Sequence, residues 1–208
     1  MRTEQKMEKV KYLIIGNSAG GIGAAEAIRE ADGVGTIAII SNEPYPAYCR
    51  PLISKYLASR CPLEKMLFRR ADFYQKNCIQ AIPGQKVAEL DTSGHAIRLD
   101  NGRAIAWEKL LLATGGSPIV PQTRGIERTG VFTLSTLDDA KAIDQYLASW
   151  VKRAVVIGGG LIGVSVTEAL LKRGVKVTMV ERKERLLNTI LDEEASVMVT
   201  ERLEQAGV

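Results

Sequence analysis

Apolar and polar positions follow two textures along this chain. Unbroken apolar runs such as Tyr12 to Ile15, Ile37 to Ile40 and Val155 to Ile157 fit strands buried on both faces, as in a parallel sheet whose crossover helices cover each side. Two longer segments repeat one plan: "VKYLIIGNSAGGIGAAEAIREADGVGTIAIISNE" from Val10 to Glu43, and "KRAVVIGGGLIGVSVTEALLKRGVKVTMVER" from Lys152 to Arg182. Each reads as an apolar run, a glycine-rich turn, an alanine-rich helical pattern, a glycine break and a second β-branched run. That is one βαβ unit of about 30 residues, met twice.

Between the repeats the pattern changes. Pro44 to Pro51 reads as loop, Leu52 to Ala58 and Glu64 to Asn77 as helices, and breaks fall at Pro83-Gly84 and Asp91 to Gly94. Asn101-Gly102 between two alternating runs predicts a hairpin with a type I′ turn, since both residues tolerate positive φ. A small antiparallel meander is therefore expected over Val87 to Trp107. "KLLLATGGSP" reads as a buried strand ending in a turn, Ser117 to Thr129 as a linker, and Leu137 to Ser149 as a helix. After Glu181 one helical pattern remains, Asp192 to Gln205. The fold class expected is α/β: two Rossmann-like dinucleotide-binding units with a small meander, the second unit truncated. The expected divisions are 1–118 for the first unit, 119–150 for linker and helix, and 151–208 for the first half of the second. Such a half-unit leaves a parallel edge to be covered by a longer chain or by a partner.

Composition narrows the classes. The 208 residues are 46% hydrophobic, and their mean hydropathy is near zero, so a packed core is expected rather than disorder. A charged opening, MRTEQKMEKVK, and the lack of an apolar run near the roughly 20 residues of a membrane span point to a cytoplasmic protein that meets no membrane. The net charge of +4 is spread over interleaved acids and bases, which is the pattern of a solvated surface. Aromatics are only 5% and no basic stripe is present, which sets nucleic acid aside. Cys49, Cys61 and Cys78 form no C-x-x-C pair and His95 is the single histidine, so neither a zinc site nor a disulfide framework is expected.

The candidate chemistry lies in the two glycine turns. Gly16 closes the first, and Gly21 lets the helix approach the strand, so that a pyrophosphate can rest on the free amides at the helix N-terminus. The middle glycine of the fingerprint is replaced by Ser18, whose hydroxyl can offer a hydrogen bond instead, and Glu43 ends the next strand as an acidic residue. In the second turn Gly158, Gly160 and Gly163 complete G-x-G-x-x-G, with Leu161 and Ile162 opening the helix and Glu181 following 18 positions after Gly163. A carboxylate there accepts from ribose hydroxyls and repels a 2′-phosphate, favouring NADH over NADPH. Arg182 and Lys183 are either exposed charges or clamps for that phosphate. A glycine turn without any ligand is the plain alternative for the first.

Four motifs in order, "IIGNSAGGIGAAEAI", "YCRPLISKYL", "KLLLATGGSP" and "VVIGGGLIG", resemble the N-terminal part of the pyridine nucleotide-disulfide oxidoreductases. The resemblance is nearest to the branch of rubredoxin, ferredoxin and nitrite reductase flavoproteins with NADH oxidase and coenzyme A disulfide reductase relatives. It implies FAD on residues 1–118 and NAD(P)H on residues 151–208. By that resemblance Gly16, Ser18, Ala19, Gly20 and Gly21 surround the FAD pyrophosphate, Asn42 or Glu43 meets its ribose, and Val87 meets its adenine through backbone atoms. Arg50, Pro51 and Lys55 would lie on the flavin side, where a lysine cation stabilises the reduced anionic ring. Ala113, Thr114 and Gly115 would line the cofactor, and Gly158, Gly160, Leu161, Ile162, Gly163, Glu181 and Arg182 would hold the nicotinamide nucleotide.

Two departures limit what carries over. Many relatives place a Glu two residues after the last glycine of the NAD motif, able to pair with the flavin-side lysine; here Ser165 stands there and the nearest carboxylate is Glu168. The C-x-x-x-x-C disulfide is absent, leaving Cys49 as a lone thiol before Arg50, either redox-active or incidental. The expected activity is hydride transfer from NADH to FAD, with electrons passed to a small redox protein or small-molecule acceptor. Alternatives are a nucleotide-binding fragment without turnover, a single-cysteine activity at Cys49, and a flavin-free dehydrogenase. Homo-oligomerisation, or association through the unfinished sheet edge, is expected.

Overall fold

The four residues of Ile37–Ile40 are all buried, and alternate ones serve opposite faces of the sheet. Ile37 and Ile39 pack with Ile14, Ile22 and Ala25 on the side of the first helix. Ala38 and Ile40 pack with Val10, Leu13, Ile97, Leu99 and Ile105 on the other. This two-sided demand explains the continuous apolar run, because a strand with period 2 and two covered faces has no solvent position.

The computed structural model describes residues 7–59, 61–148 and 150–208. In chain order the elements are β1 (Glu8–Ile15), α1 (Ala19–Ala31), β2 (Ile37–Ile40), α2 (Ile53–Ser59), α3 (Phe73–Lys76), β3 (Ile79–Ile82), β4 (Val87–Asp91), β5 (Ala96–Leu99), β6 (Ala104–Leu112), α4 (Leu137–Leu147), β7 (Arg153–Ile157), α5 (Leu161–Lys172), β8 (Lys176–Val180) and α6 (Glu193–Gln205). The chain divides into two compact units: residues 1–49 with 66–116, and residues 50–65 with 117–208. Residues 50–65 thus group with the second unit.

In the first unit six strands run in the order β3-β2-β1-β6-β5-β4. The first four are mutually parallel, and β5 and β4 continue as an antiparallel meander. Ile14 stands in register with Ile39 on one side and Leu111 on the other. At the turn between β1's neighbour and its helix, Asp32 collects Lys11 Nζ at 2.6 Å, Tyr12 Oη at 3.0 Å and the amides of Val34 and Gly35. The Lys11 ammonium, with the Gly35 and Val34 amides, holds the Asp32 carboxyl far below the usual carboxylate range.

In the second unit β7 and β8 pair in parallel, and among the described residues they pair with no other strand. Val156, Leu170, Val175 and Val177 form the core beneath α5. The opposite face leaves Val155, Ile157 and Val180 half or more exposed, so the burial on both faces expected of Val155 to Ile157 is not found. Helix α4 starts on a reciprocal cap, in which the Thr136 hydroxyl accepts from the Asp139 amide and the Asp139 carboxylate from the Thr136 amide. Leu57 of α2 is fully buried with Ile143 and Ala169. Arg173 ties three helices by donating to the Leu57 carbonyl at 2.9 Å and to Asp144 at 2.5 Å. These contacts place residues 50–65 in the second unit.

Two sequence expectations are corrected. Glu64 to Asn77 is no continuous helix: after one 3-10 turn at Leu63–Lys65, the chain extends to bridge Tyr48 with Leu67, and only Phe73–Lys76 is helical. The backbone bonds of Cys49 to Met66 and of Phe68 to Ala47, both 2.8 Å, override the local pattern. The Asn101-Gly102 hairpin is present, but only Gly102 has positive φ, +85°. Gly102 N–H donates to Leu99 and Leu99 N–H to Arg103, a type I turn completed by a glycine bulge, while Asn101 uses its side chain to accept from the Arg103 amide. Helix α4 ends at Leu147, and the expected terminus Ser149 lies outside the described residues. Among the described residues no helix is long and apolar enough to cross a membrane.

Two outcomes follow. Asp32→Asn is less stable than wild type at neutral pH in urea unfolding. Because the folded carboxyl is depressed, that advantage is present above about pH 4 and shrinks as pH falls through the acidic range below it; a gap that stays constant down to the acid limit contradicts the assignment. Arg173→Met removes bonds to a carbonyl and a half-buried carboxylate and costs about 1–3 kcal/mol in the same measurement.

Candidate functional site

Both glycine turns have the same construction. Gly16 N–H donates to the Ile40 carbonyl and Gly158 N–H to the Val180 carbonyl, each at 2.8 Å. Their φ angles, +123° and +105°, lie in the region that glycine alone enters freely. A Cβ on Gly21 would stand 1.9 Å from the Gly16 carbonyl oxygen, and one on Gly163 would stand 1.9 Å from that of Gly158. Helix and strand therefore meet backbone to backbone, which explains the first and last glycines of each fingerprint.

That approach aims each helix N-terminus over the carboxyl end of its strand. Hydrogen bonding within α1 begins with Ile22 N–H to the Ser18 carbonyl at 2.9 Å, and within α5 with Val164 N–H to the Gly160 carbonyl at 3.0 Å. The amides of Ala19, Gly20 and Gly21, and of Leu161, Ile162 and Gly163, precede the first intrahelical acceptor. Ala19 and Gly20 are exposed, as are Leu161 at 63% and Ile162 at 61%. Ser18 and Gly160 cap the two helices with extended backbones and without a side-chain cap bond. The Ser18 hydroxyl is thus not spent on its own helix. Neither Gly20 nor Gly160 faces an atom that would clash with an added Cβ, and at Gly160 the space is open. Six amides and two helix dipoles favour anions at these two places, and no atom lies within 4 Å of where a Gly160 Cβ would stand.

Around the first turn the topology gathers the ends of β1, β2 and β6. Ala113 N–H donates to the Ile15 carbonyl at 2.8 Å, and the Ala113 carbonyl stands 2.0 Å from where a Gly16 Cβ would be. Thr114 and Gly115 follow, exposed, with Gly115 at φ +71°. At the end of β2 the two ribose candidates separate. Asn42 is exposed, whereas Glu43 is buried and accepts from the Tyr48 hydroxyl. Val87 opens β4 half-buried, opposite Leu99.

The second turn holds its acid directly. Glu181 Oε2 accepts from the Gly159 amide at 2.6 Å and Oε1 from the Lys183 amide at 2.8 Å. The Gly159 bond, then that of Lys183, lowers the carboxyl below its usual value, so the charge persists. Arg182 and Lys183 point to solvent.

The remaining candidates lie on other segments with partners of their own. Cys49 is a half-buried free thiol whose amide is tied to Met66. Arg50 donates to the Ser135 carbonyl at 2.7 Å, just before α4, and Pro51 and Lys55 are exposed. Glu168 pairs with Lys172 at 2.6 Å, one turn along α5.

The sequence reading missed the supports of both turns. Tyr74 on α3 donates to Asn17 Oδ1 at 2.7 Å and accepts from the Ala47 amide at 3.0 Å, while Asn17 Nδ2 donates to the Tyr45 carbonyl at 3.4 Å. The Pro44–Pro51 loop is thereby pinned beside the first turn. Nothing in the linear pattern marks a pair 57 positions apart. The second turn is closed by Leu187, whose amide donates to the Gly159 carbonyl at 2.9 Å.

Known proteins share this arrangement. Residues 10–208 match the family described as pyridine nucleotide-disulphide oxidoreductase. The NADH-dependent phenylglyoxylate dehydrogenase subunit epsilon of Aromatoleum evansii is 33% identical over 204 residues, covering 98% of this chain and 48% of the relative. A ferredoxin reductase of Rhodopseudomonas palustris superposes with a TM-score of 0.88 at 30% identity, covering 95% of this chain and 49% of that one. NADH:rubredoxin oxidoreductase of Clostridium acetobutylicum does so at 0.84 and 27%, covering 97% and 52%. The chain spans about half the length of these relatives. With two glycine turns of one geometry in a doubly wound α/β fold and a match running from residue 10 to residue 208, the chain belongs to the pyridine nucleotide-disulphide oxidoreductase family.

Proposed function

We propose that this chain holds FAD at the first glycine turn and NADH at the second, as part of a cytoplasmic flavoprotein oxidoreductase that passes electrons to a small redox protein or another acceptor. The observation that carries the proposal is the shared geometry of the two turns, each presenting three amides that precede the first intrahelical acceptor. The relatives include a ferredoxin reductase and an NADH:rubredoxin oxidoreductase, which supports an acceptor of the small redox-protein kind.

In this reading the amides of Ala19, Gly20 and Gly21 take the FAD pyrophosphate with help from the Ser18 hydroxyl. Asn42, exposed at the end of β2, takes the ribose; Glu43 is left to brace Tyr48. Val87 offers backbone atoms to the adenine, and Ala113, Thr114 and Gly115 flank the nucleotide. Arg50, Pro51 and Lys55 are assigned to the flavin side, where the Lys55 cation would stabilise negative charge. When bound, the two cofactors supply the hydride and electron chemistry, and no side chain need act as a strong acid or base. Residues 1–118 are accordingly assigned to flavin and 151–208 to the nicotinamide nucleotide, where Gly158, Gly160 and Gly163 shape the cradle and Glu181 selects NADH. We assign Cys49, a half-buried free thiol, to packing.

A second reading is nucleotide binding at the two turns without turnover. Titration with FAD followed near 450 nm, then addition of NADH, separates the two. Bound flavin bleached by NADH supports the oxidoreductase, bound flavin that stays yellow supports the second reading, and a chain that takes up no flavin refutes the FAD assignment.

Two substitutions test the nicotinamide site. Gly160→Val adds atoms to open space, so the melting temperature changes little while NADH affinity drops at least about a hundredfold, because the side chain fills the diphosphate's place. Retained affinity would remove the second turn from the site. Glu181→Ala lowers the NADH-over-NADPH preference in paired calorimetric titrations, and an unchanged preference takes Glu181 off the ribose.

A further inference from the structure

Glu181 does not hold its place alone. Both polar backbone groups of Gly159 are committed to the segment after β8: its N–H to Glu181 Oε2 and its carbonyl to the Leu187 N–H. A Cβ on Gly159 would stand 2.3 Å from Leu186 Cδ2, 3.3 Å from Glu181 Oε2 and 3.4 Å from Glu181 Cβ. The Leu186 side chain therefore fills the flank of Gly159, on the side where the carboxylate lies.

Leu186 is itself fixed from behind. Ser196 of α6, fully buried, donates its hydroxyl to the Leu186 carbonyl. The next residue, Leu187, is buried with φ +53°, a left-handed backbone that a non-glycine residue keeps only where its surroundings demand it. Arg185 donates to the carbonyls of Leu191 and Asp192, and Asp192 caps α6 through the Ala195 amide at 2.9 Å. The segment is thus closed onto α6 at one end and onto the glycine turn at the other.

We propose that Leu186, held by Ser196, is a positioning residue for nucleotide selectivity: it confines the Glu181 carboxylate against Gly159, where it meets ribose hydroxyls and turns away a 2′-phosphate. The proposal rests on the reading of the second turn as the nicotinamide-nucleotide site. A carboxylate free to swing loses both effects, because its repulsion of a phosphate falls with distance and its hydrogen bonds must be ordered afresh. The amides at the start of α5 serve the diphosphate of NADH and NADPH alike, so they do not contribute to the ratio.

The test is the ratio of NADH and NADPH dissociation constants, measured by calorimetric titration of wild type, Leu186→Ala, Leu186→Met and Ser196→Ala, with circular dichroism melting as the check on folding. Leu186→Ala lowers the preference for NADH over NADPH about fivefold, read as a smaller ratio of the NADPH to the NADH dissociation constant; Ser196→Ala moves it the same way by less, and Leu186→Met, which restores the apolar cover, keeps it. If Leu186→Ala does not fold, Leu186→Val trims the side chain more gently and must shift the ratio in the same sense. Equal weakening of both nucleotides, or an unmoved ratio in the folded variants, overturns the positioning role while leaving the site intact. A wild-type chain that binds neither nucleotide overturns the site itself, and this inference with it.

Discussion

The contact of a glycine α-carbon with a carbonyl oxygen of the preceding turn is the constraint on which the site depends. At Gly21 against Gly16, and at Gly163 against Gly158, helix and strand stand so close that a Cβ would lie 1.9 Å from oxygen. This closeness fixes how the first helical turn sits over the strand end, and hence where its amides point. A methyl group at either position would lift the helix from the strand and scatter those amides. The anion-binding property is thus a consequence of packing at a point where neither residue has a side chain.

The two turns share this device and differ in their flanks. Beside the first runs β6, whose Ala113 carbonyl closes in on Gly16; at Gly158 nothing lies within 4 Å of the added atom. The helix is capped by Ser18 in the first and by Gly160 in the second. The first acid position offers an exposed Asn42 beside a buried Glu43, whereas the second offers Glu181 with both oxygens bonded to backbone amides. One backbone motif can therefore serve two nucleotides, with discrimination left to side chains at the ends of β2 and β8.

Long-range hydrogen bonds from single side chains hold these flanks. Tyr74 joins the first turn to the Pro44–Pro51 loop, Arg173 joins α2 and α4 to the end of α5, and Ser196 holds the segment that closes on Gly159. Each satisfies groups that would otherwise be costly to leave buried and unpaired.

The sequence by itself determined the two βαβ units, the meander, the glycine turns and the Glu181 position, because these rest on local rules: period 2 with both faces covered, a break at glycine, an acid at a strand end. Even the Asn101-Gly102 hairpin was legible in place, though the turn type was settled by the bulge at Gly102. What only the tertiary structure decided was every choice that depends on a distant partner. Residues 64–72 gave up a helix to bridge the loop before Cys49, and residues 50–65 joined the second unit through Leu57 and Arg173. Glu43 turned inward to Tyr48, and Leu187 took a left-handed backbone to reach Gly159. Local propensities differ by about a kilocalorie per residue or less, and a buried hydrogen bond or a filled core position formed across the fold is enough to outweigh them.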